Sequence, residues 1–246
     1  MATLFISDLH LDPSRPAICE YFVGFLKQHG GNAEALYILG DLFDAWIGDD
    51  DPEPLWQQII QALFNCVSAG TPIYLIHGNR DFLIGERFQQ RSQCQLIDDP
   101  TIITLYGQRI LLMHGDLLCS DDTEYQLLRK QVRDPRWQEE VLKNSVETRL
   151  TMARQAREQS AMSILGKSDD IMDVNQHTVE HYMQTSNADL LIHGHTHRPG
   201  THSLTISGAT AKRVVLGDWY QHGNLLILDK DRLDFLELPC PAQPLG

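Results

Sequence analysis

The sequence predicts an α/β fold with a largely parallel sheet and a helical insertion, and three observations carry that expectation. Short β-rich runs alternate with helical patterns through about residue 97, helical periodicity takes over from about 121 to 185, and residues 189 to 238 return mostly to strands. Strands separated by helices are the mark of βαβ units, whose strands pair in parallel. In order, the patterning predicts a strand over 3–7, a helix over 16–28, a strand over 35–39, a helix over 54–68 and a strand over 72–77. Strands near 101–105 and 109–113 flank Gly107 closely enough to form a hairpin. Within the insertion, Trp137, Val141, Val146, Leu150 and Ala153 recur at near-helical spacing. Ile171, Val174, Val179 and Met183 do the same behind Asp170, which is placed as an N-cap. The segment PCPAQPLG after Leu238 reads as a loosely ordered end.

The 246 residues can bury a substantial core, and the chain reads as a single domain, 1–246, with the insertion at about 121–185. A formal net charge of −13 argues against nucleic acid as a partner, since phosphate contacts need Lys and Arg in excess. Cys19, Cys66, Cys94, Cys119 and Cys240 are odd in number and widely spaced, which fits a reducing cytoplasm. The N-terminus enters a strand at once, with no signal-peptide pattern, and no apolar run nears the roughly 20 residues that span a bilayer. Any membrane contact is expected to be peripheral. Residues 129–167 hold nine Lys/Arg against five acids, which implies an anionic partner; a solvated helix face with pairs such as Glu139–Lys143 is the alternative.

The chemistry is concentrated just past five hydrophobic runs: LFISDLH, LYILGDLFD, YLIHGNRD, LLMHGD and LLIHGHTH. Asp8 and His10, two apart on extended chain, point to one side and can reach one ion. Asp41 offers a carboxylate with two oxygens, enough to bridge two cations. Asn79 adds a neutral oxygen, His114 a nitrogen, and His195 and His197 a second i, i+2 pair. Mixed oxygen and nitrogen donors without cysteine favour Mn²⁺, Fe²⁺, Zn²⁺ or Co²⁺, and the series implies a two-metal hydrolase. His77 and His193 lie inside their runs and read as buried, hydrogen-bonded histidines. Asp116 is placed to orient a ligand, and Trp46 with Asp49–Asp51 to shape a loop.

The blocks DLH, GDLFD, GNRD, HGD and GHTH resemble, in order, the five signature blocks of the calcineurin-like metallophosphoesterase superfamily. That resemblance implies an α/β/β/α sandwich of two mixed sheets with a helical lid. It also implies one metal on Asp8, His10, Asp41 and His197 and another on Asp41, Asn79, His114 and His195, with Mn²⁺ the expected pair. The longer stretches ALYILGDLFDAWIGDDDP, IHGNRDFLIG, LLMHGDLLCSDD, SDDIMDVNQ and LIHGHTHRP are similar to the UDP-2,3-diacylglucosamine pyrophosphatases of lipid A biosynthesis. Membership there implies water attack on the α-phosphorus of UDP-2,3-diacylglucosamine, giving UMP and 2,3-diacylglucosamine 1-phosphate. It implies catalytic roles for Asn79, Arg80 and His195, and substrate contacts from Asn79, Arg80, Asp122, Ser160, position 164, Lys167 and His195. It further implies residence on the cytoplasmic face of a bacterial inner membrane, with no obligate protein partner.

Two departures are visible. Position 164, usually small and polar in that family, is Ile164, and WQEEVLKNSVETRLTMARQ is more polar than the family's apolar lid helix. Apolar residues still stand at Val141, Leu142, Val146, Leu150, Met152 and Met162, either as an acyl groove or as packing of the lid. Many superfamily members carry histidine after the GN, where it protonates an alkoxide leaving group; this chain has Arg80, which stays charged and cannot. A sugar 1-phosphate leaves without a donated proton, so diphosphate cleavage fits Arg80. A structural Arg80–Asp81 pair or a surface contact is the alternative. A soluble nucleotide diphosphate of the UDP-sugar, CDP-alcohol or ADP-ribose type is the competing substrate, which the polar lid would suit. A non-catalytic scaffold is disfavoured by the complete ligand set.

Overall fold

The run TLFI is wholly buried and forms β1 (Thr3–Ile6) in the computed structural model, which describes residues 1–164, 171, 173–220 and 222–239. There follow α1 (Pro16–His29), β2 (Ala35–Leu39), α2 (Pro54–Ser68), β3 (Ile73–Ile76), α3 (Glu86–Ser92) and β4 (Gln95–Ile97). Then come β5 (Thr101–Leu105), β6 (Gln108–Leu112), α4 (Thr123–Val132), α5 (Pro135–Leu142), α6 (Val146–Ile164) and α7 (Gln176–Ser186). The chain ends in β7 (Leu190–His193), β8 (Gly200–Ile206), β9 (Ala209–Val215), β10 (His222–Leu228) and β11 (Leu233–Pro239).

Among the described residues these strands make two mixed sheets, in the orders β11-β10-β1-β2-β3-β4 and β5-β6-β7-β9-β8. β1 to β4 run parallel, as do β6, β7 and β9, while the β10–β11, β5–β6 and β8–β9 hairpins stand at three of the four sheet edges. Side chains alternate across each strand. Phe5, Tyr37, Leu39 and Ile76 meet Ile110, Leu112, Ile192 and Val214 between the sheets. Leu4, Ile6, Leu36, Ile38 and Leu75 face outward, where Phe22, Ile59, Leu63 and Phe88 from α1 to α3 cover them. Leu111, Met113 and Leu191 pack against Val179 and Met183 of α7. The result is the expected α/β/β/α layering, and double coverage explains why the strands read as continuous apolar runs.

Trp219 shows how the core reaches the loops. It is fully buried, with ring centroids 5.5 Å from Phe25 and 6.1 Å from Phe22. Trp219→Ala is expected to lower stability by about 3–5 kcal/mol, read as a fall in the urea midpoint; a loss below ~1 kcal/mol would mean the site collapses around the void.

Two helical expectations need correction. α7 starts at Gln176, capped by the Asn175 side chain accepting from Thr178 N at 3.1 Å, so Ile171 and Val174 precede the helix. Asp170, the expected cap, lies outside the described residues, as do the 240–246 tail and Cys240. The periodicity from Trp137 to Ala153 crosses a break. Asn144 Nδ2 turns back to the carbonyls of Glu140 and Val141, and Ser145 Oγ accepts from Thr148 N at 3.2 Å to begin α6. Lys143 pairs with Glu140 at 2.5 Å rather than with Glu139.

Candidate metal centre

Each proposed ligand sits two to four residues past a strand end, at the carboxyl edge where open α/β sheets bind ligands. Backbone bonds draw these ends together. Asp8 N donates to Gly40 O at 3.1 Å, His10 N to Asp41 O at 3.0 Å and Gly194 N to His114 O at 2.8 Å. His114 Nδ1 bonds Leu39 O at 2.9 Å, so a strand end of one sheet fixes a side chain from the other. Asp8, His10, Asp41, His195 and His197 all have φ between 48° and 70°. This left-handed region costs non-glycine residues about 1 kcal/mol or more each, and clusters of it mark functional sites. Gly78 and Gly194 permit the close approach: a Cβ there would overlap the Asp41 and Asp8 carboxylates respectively.

The donors form a continuous cluster. Asp8, His10 and His197 could together hold one ion, as could Asp8, Asp41 and His114. Asp41 Oδ2 lies 3.9 Å from both His10 Nε2 and His114 Nε2, a position suited to bridging. Asn79 Oδ1 is 2.9 Å from His114 Nε2 and 3.0 Å from His195 Nδ1. His10 Nε2 and His197 Nε2 face each other at 3.2 Å, and His197 Nδ1 is set 3.2 Å from Asp218. Asp8 Oδ1 is buried with His197 Nε2 at 3.4 Å, and His10 Nδ1 is buried with Asp44 no nearer than 3.7 Å. Buried carboxylate oxygens and ring nitrogens gathered this closely, and not fully satisfied by hydrogen bonds, fit cations.

Charge in the cluster points the same way. Burial pushes Asp41 up to about 7, against the pull of His114. Burial also opposes ionisation of Asp8, but His197, His114 and His10 hold it well below the usual carboxylate range. Burial would depress His114 and His197, yet Asp41 and its neighbours lift His114 to about 9, and Asp218 and Asp8 lift His197 to about 10. Metals need these imidazoles unprotonated. Loading the metal-free protein with Mn²⁺ at pH 8 is therefore expected to release about two protons per chain, with affinity rising as pH climbs toward 9–10. Calorimetry in buffers of different ionisation enthalpy measures the release; none would contradict the ligand assignment.

A family model described as calcineurin-like phosphoesterase matches residues 1–199. This chain belongs to the calcineurin-like phosphoesterases. Proteins named UDP-2,3-diacylglucosamine hydrolase are similar to it along most of their length. The one from Serratia proteamaculans is 48% identical over 97% of this chain and 100% of its own, and that from Cellvibrio japonicus 51% identical over 91% and 93%. A solved structure described as a novel archaeal phosphodiesterase shares the fold at 14% identity, with a TM-score of 0.51 over 97% of this chain and 99% of that one. The family works with a pair of divalent metals, which the donor set suits.

In this phosphoesterase, a cavity of about 530 Å³ opens over the cluster. His10, Asp41, Asn79, Arg80, His195 and His197 line it, together with Asp122, Tyr125, Leu128, Ala156 and Ser160 from the inserted segment. Of the substrate contacts expected from sequence, Asn79, Arg80, Asp122, Ser160 and His195 thus share one space. Lys167 and the side chain of Ile164 lie outside the described residues. Asp81 uses its oxygens on Gly78 N and Leu42 N, both at 2.7 Å, so the structural alternative for Arg80 is not what Asp81 does.

Other expectations divide. His77 bonds Ile84 O at 2.7 Å, and His193 is buried against Gly194 O and Arg213. Asp49 and Asp51 accept from Trp46 and Trp56, both at 3.0 Å, as a structural loop requires. Asp116, however, accepts from Tyr125 and Arg129 and, among the described contacts, from no ligand histidine. Four of the nine basic residues are spent on partners within the protein, outside the insertion. Arg149 bonds Asp50 and Ile47 O, Arg157 pairs with Asp44, and Arg129 and Arg133 reach core acids and carbonyls. Sequence reasoning missed Asp218, which orients His197 from a loop that no motif marks, and Asp44, the last residue of the GDLFD block, 3.7 Å from His10 Nδ1.

Proposed function

We propose that this chain hydrolyses the diphosphate of UDP-2,3-diacylglucosamine to UMP and 2,3-diacylglucosamine 1-phosphate, in lipid A biosynthesis. The observation that carries the reading is one cavity lined by the donor cluster, by Arg80 and by the inserted helices. The similarity to hydrolases named for this substrate supports it.

Asp8, His10, Asp41 and His197 would hold one ion and Asp41, Asn79, His114 and His195 the other, with Mn²⁺ our choice of metal. Such ions, when bound, lower the pKa of a water and neutralise charge on phosphoryl oxygens. Asn79, Arg80 and His195 act on the substrate's phosphates. Arg80 supplies fixed positive charge where charge develops in the transition state and donates no proton. The sugar 1-phosphate needs none, being stable as a dianion above a second pKa of about 6. Asp122, Ser160, Ile164 and Lys167 are assigned to the glucosamine half, and α4 to α6 to a lid.

Leu127, Leu128, Leu142, Leu150, Met152 and Met162, all on the inserted helices, are 37–72% exposed, whereas Val141 packs inward. Such an apolar surface suits acyl chains and a membrane face, which supports peripheral residence on the inner membrane from the cytoplasmic side. No described helix is long and apolar enough to cross a bilayer. Turnover with Mn²⁺ in ¹⁸O-labelled water tests the reaction: label is expected in UMP. Label only in the sugar phosphate would refute attack on the α-phosphorus. Equal turnover of an unacylated UDP-sugar would refute the lipid assignment.

A further inference from the structure

One face of α4 is turned toward the ligand-bearing turns. Tyr125, Arg129 and Arg133, the last being the residue that ends the helix, stand at i, i+4 and i+8 and form a single stripe. Each leads to a different member of the Asn79, His114 and His195 trio. Arg133 Nη2 donates to the carbonyls of His77 at 3.1 Å and Gly78 at 2.9 Å, the peptide groups just before Asn79. Arg129 donates to Asp99 Oδ2 at 3.0 Å, and Asp99 Oδ1 accepts the His114 backbone N–H at 3.3 Å. Tyr125 lies against the His195 ring with centroids 5.9 Å apart. Its hydroxyl and Arg129 Nε both donate to the fully buried Asp116 at 2.8 Å, tying the stripe into one network.

We propose that α4 is a positioning element of the metal centre, in which Tyr125, Arg129 and Arg133 set the Asn79, His114 and His195 donors of one ion. The inference rests on the two-ion reading above. Turns beyond strand ends have no ladder to hold them, and metal donors tolerate displacements of only a few tenths of an ångström. The stripe supplies the missing restraint through two charge-assisted bonds to carbonyls, one buried ion-pair network and one ring contact. Among the described contacts none of the three residues bonds Asp8, His10 or His197, so the effect is confined to one of the two ions. A helix that merely fastened the insertion would not need this pattern. Arg149 does that fastening on α6 through Asp50 and Ile47, away from the trio.

Mn²⁺ binding to the full chain, followed by calorimetry and electron paramagnetic resonance, tests the assignment. The parent is expected to take up two ions and show a spin-coupled spectrum. Arg133→Met should weaken one ion by about 10–100-fold, leave the other at parental affinity and convert the spectrum to that of isolated Mn²⁺. Tyr125→Leu, which disturbs no charge and serves if the arginine variant does not fold, should weaken the same ion. Arg149→Met should keep both. Two ions at parental affinity in Arg133→Met or Tyr125→Leu would overturn the proposal, as would an equal loss in Arg149→Met, which would mark general loosening of the insertion. A parent that binds no ion pair would overturn the two-ion reading and this inference with it.

Discussion

Asp41→Asn is expected to lower turnover of UDP-2,3-diacylglucosamine by more than about 10³-fold, beyond what one lost transition-state donor costs. Asp41 is 2% exposed, and its Oδ2 is the oxygen equidistant from His10 and His114. Asparagine keeps the size and the acceptor that takes Arg80 N at 2.8 Å, so the turn should hold. What disappears is the charge that both ions would share. The stability consequence has the opposite sign. Burial raises Asp41 to about 7 in the metal-free protein, so its ionisation opposes folding once pH exceeds the unfolded value near 4. At pH 8 metal-free Asp41→Asn should therefore melt no lower than its parent. Turnover within tenfold of the parent, or loss of turnover accompanied by unfolding, would argue against a bridging role.

That separation of activity from stability bears on what the sequence could reveal. The ligand ends were legible because each couples an apolar run, buried on both faces, to polar residues at an abrupt turn. Burial and turn chemistry are local properties. The layering followed from the same runs, since strands covered twice read as continuous Val, Ile and Leu. The pairing of the insertion's arginines was not legible. Its arginines looked like a surface for an anion, yet Arg149 meets Asp50 and Arg157 meets Asp44 about a hundred residues away in sequence. Pairings at that separation leave no periodic trace. Asp218 escaped for a similar reason: it acts through His197, from a loop whose own pattern carries no metal-ligand spacing. The start of α7 was misplaced because Asp170 and Asn175 are both good caps, and only the fold decides between them.

Arg80 is where a local letter carries the most chemical information, and its substitutions are expected to separate charge from proton transfer. Arg80→Ala should reduce kcat for the diphosphate by about 10²–10³-fold, with a smaller change in KM, because the guanidinium matters most as charge builds on the phosphoryl oxygens. Its backbone is held independently, N–H to Asp41 Oδ1 and carbonyl to Trp46 N at 3.1 Å, so the truncation should not displace Asn79. Arg80→Lys should recover part of the loss, since a point charge remains but the planar fork does not. Arg80→His is the decisive case. Histidine could donate a proton, but a departing sugar phosphate has no use for one, so this variant should gain nothing on the diphosphate. On a phosphodiester with a poor alkoxide leaving group the same histidine should outperform the parent. A histidine variant that hydrolysed the diphosphate faster than the parent would show that leaving-group protonation limits the reaction, and the substrate argument built on Arg80 would fail.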